Sequence, residues 1–113
     1  MAYYGDNAIH AWADIDGTGT PHLDNNYNCT SVTDHGTGDY TVNFSTNASN
    51  AHYCVLASNI GETNDDHTHS FICSKGTGHS GPATSGCRFA VEHKSAGSRD
   101  QDHLNFLVIA EYA

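Results

Sequence analysis

The sequence predicts an all-β chain, a single antiparallel β-sandwich of jelly-roll-like form. Three observations carry this. Apolar and polar residues alternate at period two, as in Tyr40, Val42 and Phe44 against Thr41, Asn43 and Ser45. Clusters of Gly, Asn, Asp, Ser and Thr punctuate these runs at short intervals, as strand-joining turns require. Apolar residues at helical spacing are almost absent, so no connection offers the crossover helix that parallel strands need.

The first strand is expected over residues 9–15, with Ile9, Ala11, Ala13 and Ile15 on one face and His10, Trp12 and Asp14 on the other. A short β-branched strand follows over 28–33, then the clearest alternation over 40–45. Residues 51–58 set Tyr53, Val55 and Ala57 opposite His52, Cys54 and Leu56. Residues 68–74 and 87–94 read as two further strands, the second with Phe89 and Val91 opposing Arg88, Ala90 and Glu92. Between them "SKGTGHSGPATSG" reads as a loop. The last segment competes with a helix capped by Asp100 or Asp102. Alternation through Leu104, Phe106, Val108, Ala110 and Tyr112, with aromatic and β-branched residues in the middle, favours a strand.

Two turn motifs stand out, "DIDGTGT" and "TDHGTGDY". Asp16, Asp34 and Asp39 can accept bonds from nearby backbone N–H groups, while Gly17, Gly19, Gly36 and Gly38 supply backbone angles other residues resist. EF-hand spacing and its terminal Glu are absent, so these read as turns rather than calcium loops.

A length of 113 residues and 12.1 kDa fits one domain, residues 1–113, with residues 1–8 read as an N-terminal docking arm. At 37% hydrophobic residues the core is small, and partner chains are expected to complete its burial. Thirteen carboxylates against four Lys and Arg give a formal charge of -9, which argues against nucleic acid and against an anionic membrane surface. No apolar run approaches membrane-spanning length, and the start lacks the basic and apolar regions of a standard secretory signal. Asn28-Cys29-Thr30, Asn43-Phe44-Ser45 and Asn47-Ala48-Ser49 match the glycosylation acceptor pattern, read as coincidence in so Asn- and Ser/Thr-rich a chain.

"AWADIDGTGT", "NCTSVTDHGTGDYTVNFST" and "NASNAHYCVLAS" occur in that order over residues 9 to 58. This half of the chain resembles a β-module of tailed-bacteriophage tail fibres and related virion appendages, in which an "AWVNFDGTGT" strand and turn precede "SITDNGTGDYTVNFTTAMPDANY". His35 stands where the family often has Asn, and Ala48 and Ser49 replace its Met-Pro. The resemblance implies a homotrimer on the virion surface, assembled in the host cytoplasm and attached to other virion proteins. It implies a structural role as tail-fibre or decoration module. The alternative is a knob that binds a host-surface glycan and mediates adsorption. A fibre's shaft and anchoring region have no counterpart in these residues, which favours the structural reading.

"DDHTHSF" is the most suggestive stretch for metal chemistry. In a strand His67 and His69 point to one face, about 6.6–7 Å apart. On a three-fold axis three chains would present six imidazoles, enough for an octahedral transition-metal site. Some phage tip proteins, similar in the His-x-His element alone, hold iron in this way. The competing reading is a polar strand edge. Cys29, Cys54, Cys73 and Cys87 lack C-x-x-C spacing, leaving open buried thiols, a disulfide or metal ligation. Ser, His and Asp are abundant without a nucleophile elbow, and the pair Asp14 and Asp16 is explained by its turn, so no enzymatic activity is expected. Tyr3, Tyr4, Trp12, Tyr27 and His79 are the candidate partner or glycan contacts, with 76–86 as a recognition loop. For Trp12, packing between subunits or sheets is the favoured role.

Overall fold

A computed structural model describes residues 7–59, 69–72, 81–93, 97–98 and 103–111. It contains ten strands and no helix among these residues: β1 (Asn7–Asp16), β2 (His22–Tyr27), β3 (Cys29–Gly36), β4 (Asp39–Phe44), β5 (Cys54–Asn59), β6 (His69–Ile72), β7 (Pro82–Ala83), β8 (Gly86–His93), β9 (Gly97–Ser98) and β10 (Leu104–Glu111). One sheet has the order β2-β1-β10-β5 and the other β3-β4-β8-β6, with β7 and β9 also on β8. Every pairing is antiparallel.

The two sheets pack face to face, and the alternation explains which residues meet. Ala11, Ala13 and Ile15 of β1 and Leu104, Phe106, Val108 and Ala110 of β10 face Tyr40, Val42 and Phe44 of β4 and Cys87, Phe89 and Val91 of β8. Phe89 links the layers, its ring 5.6 Å from Tyr40 in its own sheet and 6.1 Å from Phe106 in the other. The last segment is therefore a central strand, because its four alternating side chains close the core from one side.

The turn motifs behave as their chemistry requires. Asp16 accepts from the Thr18 N–H at 2.9 Å and Asp34 from the Gly36 N–H at 2.9 Å. Gly19, Gly36 and Gly38 have positive φ, at 61°, 129° and 65°, whereas Gly17 does not. Asp39 has a further role, gripped by Arg88 through two bonds of 3.0 and 2.9 Å. The motifs also meet: the buried Tyr40 hydroxyl, from the strand after the second turn, donates to the Gly17 carbonyl of the first at 3.0 Å.

Several expectations are corrected. β1 begins at Asn7, so Asn7 and Ala8 belong to the sheet, paired with Glu111 and Ala110, and not to an arm; residues 1–6 lie outside the described residues. A register shift between Ile9 and Ala11 puts Ile9 opposite Ile109 on the outer face, while the His10 ring packs edge-on against Phe44 at 4.9 Å. Strand β2 has no counterpart in the sequence reading, because "HLDNNY" has no period-two apolar pattern. β3 starts at Cys29, with Asn28 at φ 58° forming the corner where the chain leaves one sheet for the other. The Asn28 amide donates to the carbonyls of His10 and Thr46 and accepts from the Thr46 N–H. Asn43 donates to Ser31 and Thr33. Both asparagines thus serve the fold. Cys29 and Cys87 are buried thiols, whereas Cys54 is exposed on edge strand β5; Cys73 lies outside the described residues. Ala57 pairs with Phe106 and Val55 with Val108, so both lie on the core-facing side as the alternation sets them, with Ala57 left exposed.

Candidate functional site: an apolar outer sheet face

The two sheets present opposite chemistry to the outside. In a ladder, directly paired residues share a face. On the second sheet, beyond the pair Asp39 and Ala90, the outward register rows on β3, β4 and β8 are Ser31 beside Asn43, and Thr33 beside Thr41 and Arg88. These are hydroxyls, an amide and a guanidinium. On the first sheet Tyr27 pairs with Trp12, Trp12 with Leu107, and Leu107 with Leu56, one apolar row across all four strands. The next row is Ile9, Ile109 and Cys54. Trp12, Tyr27 and Leu56 are 37%, 54% and 53% exposed, so the described residues leave this row uncovered.

On its other flank lies a polar row, Asn25, Asp14, Asn105 and Ser58, in which the Asn105 amide approaches the Ser58 hydroxyl at 3.4 Å. A shallow groove of about 470 Å³ runs between the two rows, lined by Trp12, Leu56, Leu107, Asp14, Asn105 and Ser58. Asp14 Oδ1 is shielded from solvent and has no hydrogen-bond partner among the described residues; His103 Nδ1 stands 3.7 Å away. A shielded carboxylate oxygen without a donor is costly, and therefore informative.

Beyond the polar row, Asp16, His22 and Asp24 form a cluster that could hold a metal ion, with ligand atoms within 4.8 Å of one another. The register shift in β2 leaves Asp24 opposite no residue of β1, and it reaches His22 Nε2 at 3.0 Å. His22 Nδ1 donates to the Thr20 carbonyl at 3.0 Å, which turns Nε2 toward the carboxylates. The Thr20 carbonyl, then the charges of Asp24 and Asp16, raise the His22 pKa, and the Thr18 hydroxyl and N–H lower that of Asp16. The sequence reading missed this cluster, since its members were assigned to a turn and to an unrecognised strand.

Of the residues expected to contact partners, Trp12 and Tyr27 are brought together as cross-strand neighbours. Tyr3, Tyr4, His67 and His79 lie outside the described residues, as do residues 76–80 of the 76–86 loop. His69 opens β6, where the backbone pairs it with His93. Burial pushes the Cys29 thiol up to about 11, far from the thiolate that metal ligation needs. A second, polar hollow of about 170 Å³ on the other sheet is lined by His35, Thr41, Gly81, Ser85 and Arg88 among others. No protein-family model matches the chain, and neither a curated protein nor a solved structure matches it.

Proposed function

We propose that the chain is a virion structural protein of a tailed bacteriophage, a jelly-roll-like module that forms a homotrimer and attaches to the particle surface by protein contacts. The observation that carries self-assembly is the apolar outer face of the first sheet, in a chain with few apolar residues to spare. A monomer exposing Trp12, Tyr27 and Leu56 in one row leaves surface that association would remove from water. The resemblance of residues 9 to 58 to fibre modules supports the phage assignment and the three-fold state. The chain's passage between sheets at β2–β3, β4–β5, β5–β6 and β9–β10 supports the jelly-roll-like description. The role is structural rather than enzymatic, with neither nucleic acid nor a membrane as partner.

A second reading, a knob binding host glycan, is favoured by one observation. The polar hollow at Arg88, Thr41 and His35 lies on the opposite sheet and includes residues from the end of the 76–86 segment. It would stay open in an assembly built on the first sheet. Quantifying the protein on purified particles tests both. Copies in the hundreds along capsid or tail support the structural role, while a few copies confined to fibre tips support adsorption. Absence from purified virions would refute both.

A further inference from the structure

We infer that copies of this chain meet on the outer face of the β2-β1-β10-β5 sheet, with Trp12, Leu107 and Leu56 at the centre of the contact. This rests on the self-assembly proposed above and specifies where it occurs. Two further facts choose a second copy as the occupant.

The first is charge. Each copy carries -9, so two copies repel unless they meet where no carboxylates are juxtaposed. The rows Tyr27–Trp12–Leu107–Leu56 and Ile9–Ile109–Cys54 contain no charged side chain. The outer face of the other sheet carries Arg88, with Asp39 bound to it. Its rows of hydroxyls and amides are already bonded to one another, as Asn43 is to Ser31 and Thr33. Aliphatic Leu56, Leu107 and Ile109 also suit a like surface better than a sugar, which needs hydrogen-bond partners beside its stacking plane.

The second is area and unmet bonding. With strands about 4.8 Å apart, the four-strand row is roughly 19 Å long and the three-strand row roughly 14 Å, the two lying about 7 Å apart. A stable interface buries about 800 Å² per partner, with a charge-poor centre and a polar rim. The apolar rows form such a centre, and the adjoining row of Asn25, Asp14, Asn105 and Ser58 forms part of the rim. The shielded Asp14 Oδ1 has no hydrogen-bond donor among the described residues, only His103 Nδ1 at 3.7 Å, and a second copy would bring the side-chain amides of Asn25 and Asn105 to the same rim.

Sedimentation of the full chain and of three variants tests the inference. Leu56→Glu and Leu107→Glu change outward positions, and Thr33→Glu is the control on the polar sheet. The expected result is an oligomeric native protein, monomeric Leu56→Glu and Leu107→Glu variants, and an oligomeric Thr33→Glu, all with the same far-UV circular dichroism. Cys54 in the second apolar row gives a readout that does not alter the face's apolar core. In a Cys73→Ser background, its reaction with a maleimide should be at least about tenfold slower in the assembly than after dilution to monomer. A monomeric native protein would refute self-assembly altogether. An oligomer that survives both Leu substitutions, or that leaves Cys54 fully reactive, would place the contact elsewhere and overturn this inference alone.

Discussion

The Thr18 hydroxyl and backbone N–H both donate to Asp16 and hold its carboxyl below its ordinary 3.8, while the Thr20 carbonyl, Asp24 and Asp16 raise His22 above 6.5. The signs are opposite, and so are the limits. Asp16 contributes stability above 3.8 and loses it as pH falls through its lowered pKa. His22 contributes fully below 6.5 and loses it as pH rises through its raised pKa. Both therefore act between those two values. His22→Ala should lower the melting temperature more at about pH 5.5 than at about pH 8.5. Equal losses at both would mean that the imidazolium is not what holds the pair. The Tyr40 hydroxyl is a different residue-scale device, neutral and buried. Tyr40→Phe leaves the Gly17 carbonyl without its donor, and urea unfolding should show a loss of about 1–2 kcal/mol. An unchanged midpoint would show that the two turns are not fastened by this bond.

At the scale of elements, β4 and β8 form the middle of the second sheet, and their register ends where Asn43 pairs with Gly86. A Cβ on Gly86 would lie 2.3 Å from the Val42 carbonyl oxygen, a backbone atom that cannot turn away. Gly86→Ala should therefore separate the strands locally and cost about 1–3 kcal/mol by the usual scale of overpacking. Hydrogen exchange should show the loss concentrated in β4, β7 and β8. Native-like protection in all three would show that the sheet relaxes around the methyl group. The Tyr53 hydroxyl reports on the same place, since it donates toward the Ala83 and Gly86 carbonyls and accepts from the Ala83 N–H. One side chain from the edge of the first sheet thus fixes the hairpin that feeds the second.

For the whole molecule the balance of charge governs how copies approach. Nine His against a formal -9 mean that full protonation of the imidazoles would cancel the net charge while the carboxylates stay ionised. Long-range repulsion should fade as pH falls through about 6.5, the ordinary histidine value. Static light scattering of the purified protein should rise between about pH 8 and pH 5, with added salt raising the signal at the alkaline end by screening. A flat profile would mean that net charge does not limit association, and that the apolar face alone sets the oligomer.

Much of this molecule is legible in the residues themselves. Period-two alternation marked β4, β8 and β10 and set Tyr40, Val42 and Phe44, Phe89 and Val91, and Phe106 and Val108 each on a single face, the face that is buried, because a half-buried strand can satisfy burial in only one phase. Aspartate and glycine spacing identified both turns, because few residues accept a positive φ. Strand β2 was illegible. Its side chains are mostly exposed, and it is a strand because β1 offers an unpaired edge rather than because of its own pattern. The same holds for the phase of Ile9 and His10, which one extra residue in the ladder reverses. The outer faces could not be told apart either. Trp12, Leu56 and Leu107 lie far apart in sequence, and each alone is an ordinary exposed apolar residue. Only the register of three strand pairs lines them up with Tyr27, and only the tertiary structure brings Asp16, His22 and Asp24 within reach of one another. Local pattern decides which residues face inward, but side-by-side placement on the outside is a property of pairing, and pairing is settled by the whole chain.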